Sequence, residues 1–222
     1  MKTTIKYLFI LCTFLSLTSC FDIIDKISLK ADGSGEYSLI LNASKSKTRL
    51  QSISKMETVN GKKVPKKAEI ESKLKEATAV FKSVPGISNV KTAFDFENFI
   101  VKLSCNFKKI ENINSGLELL KSKKIIGKTI PAQLYKNNPA EKVFVRNKTA
   151  SYKSDYDKLS SADKEVFSNA TYTSVVQFEN MIKSQTNSSY TMSPNKKAVK
   201  LSGSVLDFIL QKKQVQNTIS LH

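Results

Sequence analysis

Histidine is nearly missing from this sequence, since its one histidine is His222, the last of 222 residues. A chain end is usually frayed, so the sequence offers no Ser-His-Asp or Cys-His nucleophile pair and no histidine-based zinc site. Tryptophan is absent, and the scarcity of glycine and proline excludes collagen-like and Gly/Pro-rich low-complexity chains. We therefore expect no catalytic residue, metal site or cofactor, and we predict that the protein is not an enzyme.

Arginine is the second scarcity, because Arg49 and Arg146 are the only two among 36 basic residues. With 19 acidic residues the chain has a formal net charge of +17. Such a charge is typical of nucleic-acid-binding proteins, but arginine is the residue suited to bidentate contacts with phosphate and guanine. The lysines are spread along the chain, with short clusters at 62–67, 121–124 and 196–197. We predict a solvated basic surface and no nucleic-acid partner.

The first twenty residues, MKTTIKYLFILCTFLSLTSC, have the organisation of an export signal. Lys2 and Lys6 precede a largely apolar run over residues 7–17, which is shorter than the ~20 residues that cross a bilayer. A single-pass anchor or a buried first helix is the alternative. The run leads into Leu17-Thr18-Ser19-Cys20, which resembles the lipobox of bacterial lipoproteins.

This resemblance implies that residues 1–19 are a cleaved signal peptide and that Cys20 carries a thioether-linked lipid and an acylated N-terminus. Several acyl chains together anchor a protein stably in a membrane. Ordinary secretion, with Cys20 as an incidental residue, is the alternative. Cys12 would leave with the signal peptide, so the mature domain would hold no internal disulfide. The alternating apolar residues around Cys105 predict that its thiol is a small buried hydrophobe.

The Lys-, Asn-, Ser- and Ile-rich composition resembles that of small lipoproteins of the Bacteroidota. Surface-exported members often carry an acidic motif after the lipidated cysteine, whereas Phe21-Asp22-Ile23-Ile24-Asp25 stands here. We therefore expect a lipid-anchored protein on the periplasmic face of the outer membrane. Residues 20–22 would be a short tether that keeps the domain close to the bilayer, where each nearby lysine adds about 1 kcal/mol of attraction to an anionic leaflet. The expected partners are the membrane and an anionic lipid, a glycan or an envelope protein.

Apolar periodicity predicts an α+β fold with an antiparallel sheet of hairpins and two or three helices on one face. One hairpin has the turn Asp32-Gly33-Ser34-Gly35, and the other turns near Glu97. The predicted helices and strands, in chain order, are strands 23–31 and 37–41, helices 44–56 and 68–84, strands 87–96 and 101–107, and helix 110–120. Strand–turn–strand–helix (ββα) units occur twice, and the order from Glu36 to the strand 141–147 resembles a ferredoxin-like plait.

Residues 23–147 are predicted to form the α+β core, and residues 148–222 a β-rich C-terminal part of the same domain. The segment 125–140 is predicted to be a loop. The remaining elements, in chain order, are a short helix at 162–167 and strands at 171–178, 181–192, 198–202 and near 215–221.

Two kinds of polar cluster could carry chemistry. Asp155 and Asp157 are spaced like the start of a calcium loop, but the ligands and glycine that should follow are missing. Two further acidic pairs are spaced for acid–base chemistry, although a turn and the first turn of a helix explain them equally well: Asp95 with Glu97, and Asp163 with Glu165. Four tyrosines either stack on sugars or bases or cover a sheet face: Tyr152, Tyr156, Tyr172 and Tyr190.

Three functions follow from these observations. The leading hypothesis is a non-enzymatic envelope module that binds a protein, glycan or lipid partner. The second is an apolar-ligand or lipid-binding protein with a groove between sheet and helices. The third, a hydrolase that uses Asp or Glu, finds no support in the spacing of the acidic residues.

Overall fold

Two sheets and two long helices enclose one apolar core. The structure, a computed structural model, describes residues 21–127 and 133–222, so the signal-like segment, Cys12 and the predicted lipidation site Cys20 lie outside the described residues. Over the described ranges the chain forms six α-helices and thirteen strands in antiparallel-dominated sheets. This architecture confirms the predicted α+β class.

The larger sheet has seven strands in the order β11-β12-β9-β1-β2-β6-β5. In chain order they are β1 (Asp22–Leu29), β2 (Gly35–Asn42), β5 (Ile87–Asp95), β6 (Ile100–Phe107), β9 (Thr171–Phe178), β11 (Thr191–Met192) and β12 (Ala198–Ser204). Every neighbouring pair is antiparallel except β1 and β9, which are parallel. The C-terminal segment thus joins the sheet beside the first strand of the described chain.

A four-stranded antiparallel sheet, ordered β10-β13-β8-β7, packs against the larger one. Its strands are β7 (Tyr135–Asn138), β8 (Val143–Arg146), β10 (Ile182–Gln185) and β13 (Asn217–Leu221). A separate short hairpin pairs β3 (Thr58–Val59) with β4 (Lys62–Lys63). Three fully buried side chains of this sheet belong to the same apolar core as the buried side chains of the larger sheet: Tyr135, Phe144 and Ile219.

Both predicted hairpins form, and the turn of the first one shows why it does. In the β1–β2 turn the Asp32 carboxylate accepts hydrogen bonds from the Ser34 N–H at 2.9 Å and the Ser34 hydroxyl at 2.7 Å. Gly35 then enters β2 where an added Cβ would lie 2.0 Å from the carbonyl oxygen of Ser28. Only a residue without a side chain permits that approach.

Two long helices cover part of the inner face of the large sheet. Helix α2 (Lys67–Ser83) packs on β5, and α3 (Glu111–Ser122) packs on both α2 and β7. Gly116 of α3 allows close contact, because its Cβ position is 3.1 Å from the Phe81 ring. The shorter helices are α1 (Lys47–Ser54), α4 (Lys153–Asp157), α5 (Ser161–Glu165) and α6 (Val205–Ile209), with a 3₁₀ turn at Ser44–Ser46.

The ferredoxin-like plait is only partly present. Strands β2, β6 and β5 lie in the order that the plait requires, but β8, its expected fourth strand, belongs to the other sheet. Its place beside β2 is taken by β1, which pairs with β2 along all eight residues. A short turn between adjacent strands has a low closure cost, so the local β1–β2 hairpin forms in place of the distant pairing.

Two further expectations need correction, and some short elements were not predicted. The predicted loop 125–140 contains strand β7, whose sequence YKNN has too little apolar alternation to predict a strand. The predicted strand 181–192 is two strands, β10 and β11, separated by a turn. The hairpin β3–β4 and helix α6 were not predicted. Two-residue strands and a five-residue helix are too short for the hydrophobic pattern to repeat, so periodicity does not reveal them.

Candidate functional site

A buried ion pair joins the two sheets. Asp25 lies in the middle of β1 and Arg146 at the end of β8, and their side chains are 5% and 4% exposed. The Arg146 Nη2 donates to Asp25 Oδ2 at 2.6 Å. Buried charges are costly unless they are paired and hydrogen-bonded, so this contact fixes how β1 and β8 face each other.

Three hydroxyl groups surround this ion pair. The hydroxyls of Tyr172 and Tyr135 donate to the same carboxylate oxygen of Asp25, at 2.9 and 3.2 Å. Arg146 also donates to the hydroxyl of Tyr172 at 2.6 Å and to that of Ser174, and its guanidinium lies 5.4 Å from the centroid of the Tyr135 ring. Two buried atoms, Asp25 Oδ1 and Arg146 Nε, have no hydrogen-bond partner within the described chain.

The chemistry of this cluster is structural. Burial, with the nearby Asp25 carboxylate adding to it, raises the pKa of Tyr37, Tyr135 and Tyr172 well above that of a free phenol. The phenols therefore stay protonated at neutral pH and donate to the carboxylate. Because both charged side chains are enclosed, a substrate cannot touch them, and we assign them no catalytic role.

The tyrosines singled out in the sequence do not form one stacking surface. Tyr172 lies in the buried cluster, and the buried hydroxyl of Tyr190 donates to the carbonyl oxygen of Val215 at 2.7 Å. Tyr152 and Tyr156 belong to a separate apolar cluster, where the Tyr156 ring meets that of Phe167 at 5.9 Å between centroids. For Tyr172 the sheet-covering alternative is the correct one, because its ring faces inward from β9.

Cys105 is a core residue, as its sequence neighbours predict. It is 2% exposed on the inner face of β6 and forms no disulfide. Burial raises the pKa of its thiol to about 12. A thiol that stays protonated is a poor nucleophile.

The candidate acid–base pairs are engaged in local structure. Asp95 accepts hydrogen bonds from the side chain and backbone of Asn98, at 2.7 and 3.0 Å, and these bonds lower the pKa of Asp95. Glu97 faces Lys47 at 3.3 Å. Hydrogen bonds from Lys62 and from Ser160 likewise lower the pKa of Asp163. General acids and bases work best with a pKa near the working pH, and both aspartates are shifted away from it.

The Asp155–Asp157 segment is part of helix α4 and not a calcium loop. Asp157 pairs with Lys153 at 2.8 Å, one helical turn away. In residues 21–127 and 133–222, no group of three or more His, Cys, Asp or Glu side chains is placed to hold a metal ion.

The lysine clusters seen in the sequence are paired to different extents: all four lysines of 62–67 have a partner, whereas in 121–124 this holds for Lys121 and in 196–197 for neither lysine, as far as the described residues show. Lys63 meets Glu69 at 2.6 Å, and Lys121 meets Glu118 at 2.8 Å. Lys66 Nζ donates to the carbonyl oxygen of Met56 at 3.0 Å. The cluster at 62–67 is therefore less available to an anionic partner than its sequence indicates.

The outer face of the large sheet is uncovered and basic. Along β12, β9, β1, β2 and β6 the outward positions include no buried residue, whereas the inward positions are largely buried. Four lysines stand exposed on this face and make no ion pair in the described residues: Lys26, Lys91, Lys102 and Lys200. Three central rows of outward residues cross the sheet through Ile24, Lys26 and Ser28 of β1, and Glu36 is the acidic residue among them. Asp22, nearer the strand ends, pairs with Lys45 at 3.2 Å.

An open depression of about 580 Å³ lies in this face, across β1, β2, β6 and β5. One cross-strand row runs through it, Lys26–Ser38–Ser104–Lys91, with each residue paired to the next in register. The remaining polar lining comes from Ser28, Glu36, Asn89 and Asn106, and Tyr37 and Cys105, whose side chains are buried on the inner face, complete the lining. Beside the depression, β5 bulges between Ser88 and Lys91, with Asn89 at a φ of 51°.

Part of the inner face is exposed as well. Leu39 and Leu41 point from β2 toward the core side of the sheet, yet they are 36% and 40% exposed. Their neighbours in register, Leu103 and Val101 of β6, are half-buried. These four residues form an apolar strip on a part of the inner face that is covered neither by α2 nor by the buried Asp25–Arg146 cluster.

The comparisons with known proteins identify no family. No family model matches the chain, and no curated protein is significantly similar to it in sequence. Among solved structures, the NMR structure of the folded domain of LppM from Mycobacterium tuberculosis is similar over 94% of each chain, with a TM-score of 0.45 and 10% sequence identity. A similarity at this level does not transfer a function from one chain to the other.

Sequence reasoning singled out Tyr172 of the buried cluster but missed its two charged members, Asp25 and Arg146, and the polar depression. A signal existed for Asp25, because an acidic residue at an inward position between Ile23 and Ile27 requires a buried partner. Arg146, the second of two arginines, is the fitting partner for a buried carboxylate. Nothing in the sequence indicates that Lys26 and Lys91, which are 65 positions apart, share one cross-strand row.

Proposed function

We propose that the protein is a lipid-anchored lipoprotein of the bacterial cell envelope whose domain is a non-enzymatic binding module. The lipid is attached to Cys20, and the domain faces the periplasm from the outer membrane. The observation that carries this proposal is the lipobox-like Leu17-Thr18-Ser19-Cys20 directly before β1, which starts at Asp22. With only Phe21 between them, the tether reaches about 7 Å.

A binding role is supported by the surface of the large sheet. Its outer face carries lysines that form no ion pair within the described ranges and an open polar depression, whereas the buried Asp25–Arg146 cluster is closed to substrates. In the described part of the chain no helix is both long and apolar enough to cross a membrane. An acyl anchor on Cys20 would supply the membrane attachment that the proposal requires.

Fractionation of cells that produce single-cysteine variants tests the anchor. We expect the Cys20→Ala variant to leave the membrane fraction, because it loses its acyl chains. Cys12→Ala is the matched control, since the same change within the leader should leave the protein membrane-bound. Release of neither variant, or of both, would contradict anchoring through Cys20.

Pull-down with the lipidated protein from envelope membranes tests the binding role. A specific protein, glycan or lipid retained by the lipidated protein is the expected result. Hydrolysis of an envelope substrate that is lost when a carboxylate is substituted would overturn the non-enzymatic assignment.

The second candidate function is binding of an apolar ligand. It is favoured by the exposure of Leu39 and Leu41 on the inner sheet face, since large apolar side chains in a shared open strip are typical of ligand or partner sites. Organic extraction of the purified protein followed by mass spectrometry would then yield a stoichiometric lipid, and Leu41→Gln would reduce its amount. If no lipid is extracted from the protein without the Leu41→Gln substitution, this function is excluded.

A further inference from the structure

We infer that the depression on the outer sheet face binds the phosphate of an anionic phospholipid headgroup in the membrane that anchors the protein. This inference rests on the proposed function for the source of the lipid. The groups that would hold the phosphate are the ammonium groups of Lys26 and Lys91 and the hydroxyls of Ser38 and Ser104.

The first argument is the geometry of the cross-strand row. Neighbouring strands are about 4.8 Å apart, so the backbones of Lys26 and Lys91 stand about 14 Å apart with the two serines between them. The long side chains of both lysines can lean inward over that gap. An anion above Ser38 and Ser104 would then meet one ammonium group on each side and two hydroxyls beneath it.

The second argument is that these groups have no other partner. Both lysines are exposed and form no ion pair or side-chain hydrogen bond in the described chain, and the hydroxyls of Ser38 and Ser104 likewise have none. Some lysines of this chain do meet an acid, as Lys63 meets Glu69 at 2.6 Å. Four donors directed at one open space are therefore available to an anionic ligand.

The third argument concerns the rest of the headgroup. Glu36 lies in the neighbouring row, between Ser28 and Asn106, and it makes no ion pair in the part of the chain that the structure describes. A carboxylate accepts hydrogen bonds from hydroxyl groups. The pocket thus suits a phosphate that carries hydroxyls, as in a glycerol or sugar headgroup, better than a bare anion.

The position of the depression favours the membrane over a soluble partner. Cys20 and Lys26 are six positions apart in the chain, which limits their distance to about 20 Å. The outward positions of the central rows carry no aromatic ring in the described strands, so the face offers no platform for a sugar or a base. An anchored domain with its outer face toward the leaflet would place the depression among the headgroups.

Amine labelling of the full lipidated protein in vesicles tests the inference. With about 30% anionic phospholipid, an amount that gives a strongly negative surface, we expect Lys26 and Lys91 to label at least fivefold more slowly than in zwitterionic vesicles. Lys75 and Lys136, which are exposed lysines without an ion pair on other faces, are the controls and should change less than twofold. Equal protection of all four lysines, or protection of none, would overturn the inference.

Two further arms identify the ligand and its source. A Ser38→Ala/Ser104→Ala variant keeps every charge and should lose most of the protection, whereas unchanged protection would contradict a phosphate seated on the serines. Glycerol phosphate added to zwitterionic vesicles should give little protection. If it protects Lys26 and Lys91 as well as anionic vesicles do, or if only an acidic polysaccharide protects them, the membrane headgroup is the wrong ligand.

The same samples separate this inference from the proposed anchor. Mass spectrometry of the N-terminal peptide reports whether Cys20 carries lipid, independently of lysine labelling. A lipidated Cys20 with unprotected lysines refutes the headgroup site alone. An unmodified Cys20 refutes the anchor, and protection of Lys26 and Lys91 in the unanchored chain would then still support the phosphate site.

Discussion

Asp25 and Arg146 form a buried ion pair between the two sheets. Their side chains are almost fully enclosed, and one carboxylate oxygen accepts hydrogen bonds from the guanidinium and from two tyrosine hydroxyls. Removal of one partner would leave a buried charge without compensation, which costs far more than the net contribution of the intact pair.

Replacement of Arg146 by methionine should lower the free energy of unfolding by about 3–5 kcal/mol, because the Asp25 carboxylate would stay buried without its cation. The double variant Asp25→Asn/Arg146→Met should regain part of this loss, since it removes both charges. Denaturant titration measures both changes.

Arg49→Met provides the matched control for that substitution. Arg49 lies half-exposed on α1, and its replacement should change the free energy of unfolding by less than about 1 kcal/mol. If Arg146→Met were as mild as Arg49→Met, the ion pair would not be what holds the sheets together.

The buried phenols predict that the protein loses stability in alkali. Burial raises the pKa of Tyr37, Tyr135 and Tyr172 well above the ordinary phenol value of about 10. Above that pH the unfolded chain releases protons that the folded chain retains, so the free energy of unfolding falls as the pH rises. Below that pH these three tyrosines contribute no pH dependence.

Phenolate absorbance recorded together with denaturant titration at a series of pH values measures this effect. The three buried tyrosines should ionise only as the protein unfolds, and a Tyr172→Phe variant should show a shallower loss of stability. Ionisation of these tyrosines near pH 10 in a protein that remains folded would contradict the assignment.

At the scale of single elements, the β1–β2 hairpin organises the large sheet. Its turn is closed by Asp32, and Gly35 passes so close to β1 that a Cβ would lie 2.0 Å from the Ser28 carbonyl oxygen. Gly35→Ala should therefore lower the free energy of unfolding by about 3 kcal/mol or more, since the contact is with backbone that cannot rotate away.

Gly127→Ala is the control for that substitution, because no atom of the described chain lies within 4 Å of its Cβ position. It should change stability by less than about 0.5 kcal/mol. Thermal or denaturant unfolding of the two variants provides the comparison, and similar values for both would show that Gly35 does not limit the approach of β1 and β2.

Elements with strong local patterns were predictable from the sequence. The spacing of Ile70, Leu74, Ala77 and Phe81 predicts α2, and the alternation of Val101, Leu103 and Cys105 predicts β6. The partner of each strand was not predictable, since the parallel pairing of β1 with β9 joins residues 149 positions apart. Local periodicity contains no information about such contacts.

At the scale of the whole molecule, the same limit applies to the candidate site. The sequence shows that lysines are abundant, but only the folded sheet shows which of them share a row and which are paired with acids. The four lysines of the cluster at 62–67 are engaged, as is Lys121, whereas the isolated Lys26 and Lys91 line one open depression. Net charge alone thus directs attention to the wrong lysines.

The proposed arrangement has a lipid on Cys20, a tether of one residue and a basic sheet face beside the leaflet. Its central claim is the modification of Cys20, because the attachment of the domain to the membrane depends on it. Mass spectrometry of the N-terminal peptide of the protein purified from membranes tests that claim most directly. We predict a peptide that starts at Cys20 and carries the mass of a thioether-linked lipid and an amide-linked acyl chain. A peptide that still contains Ser19, or one with an unmodified Cys20, would contradict it.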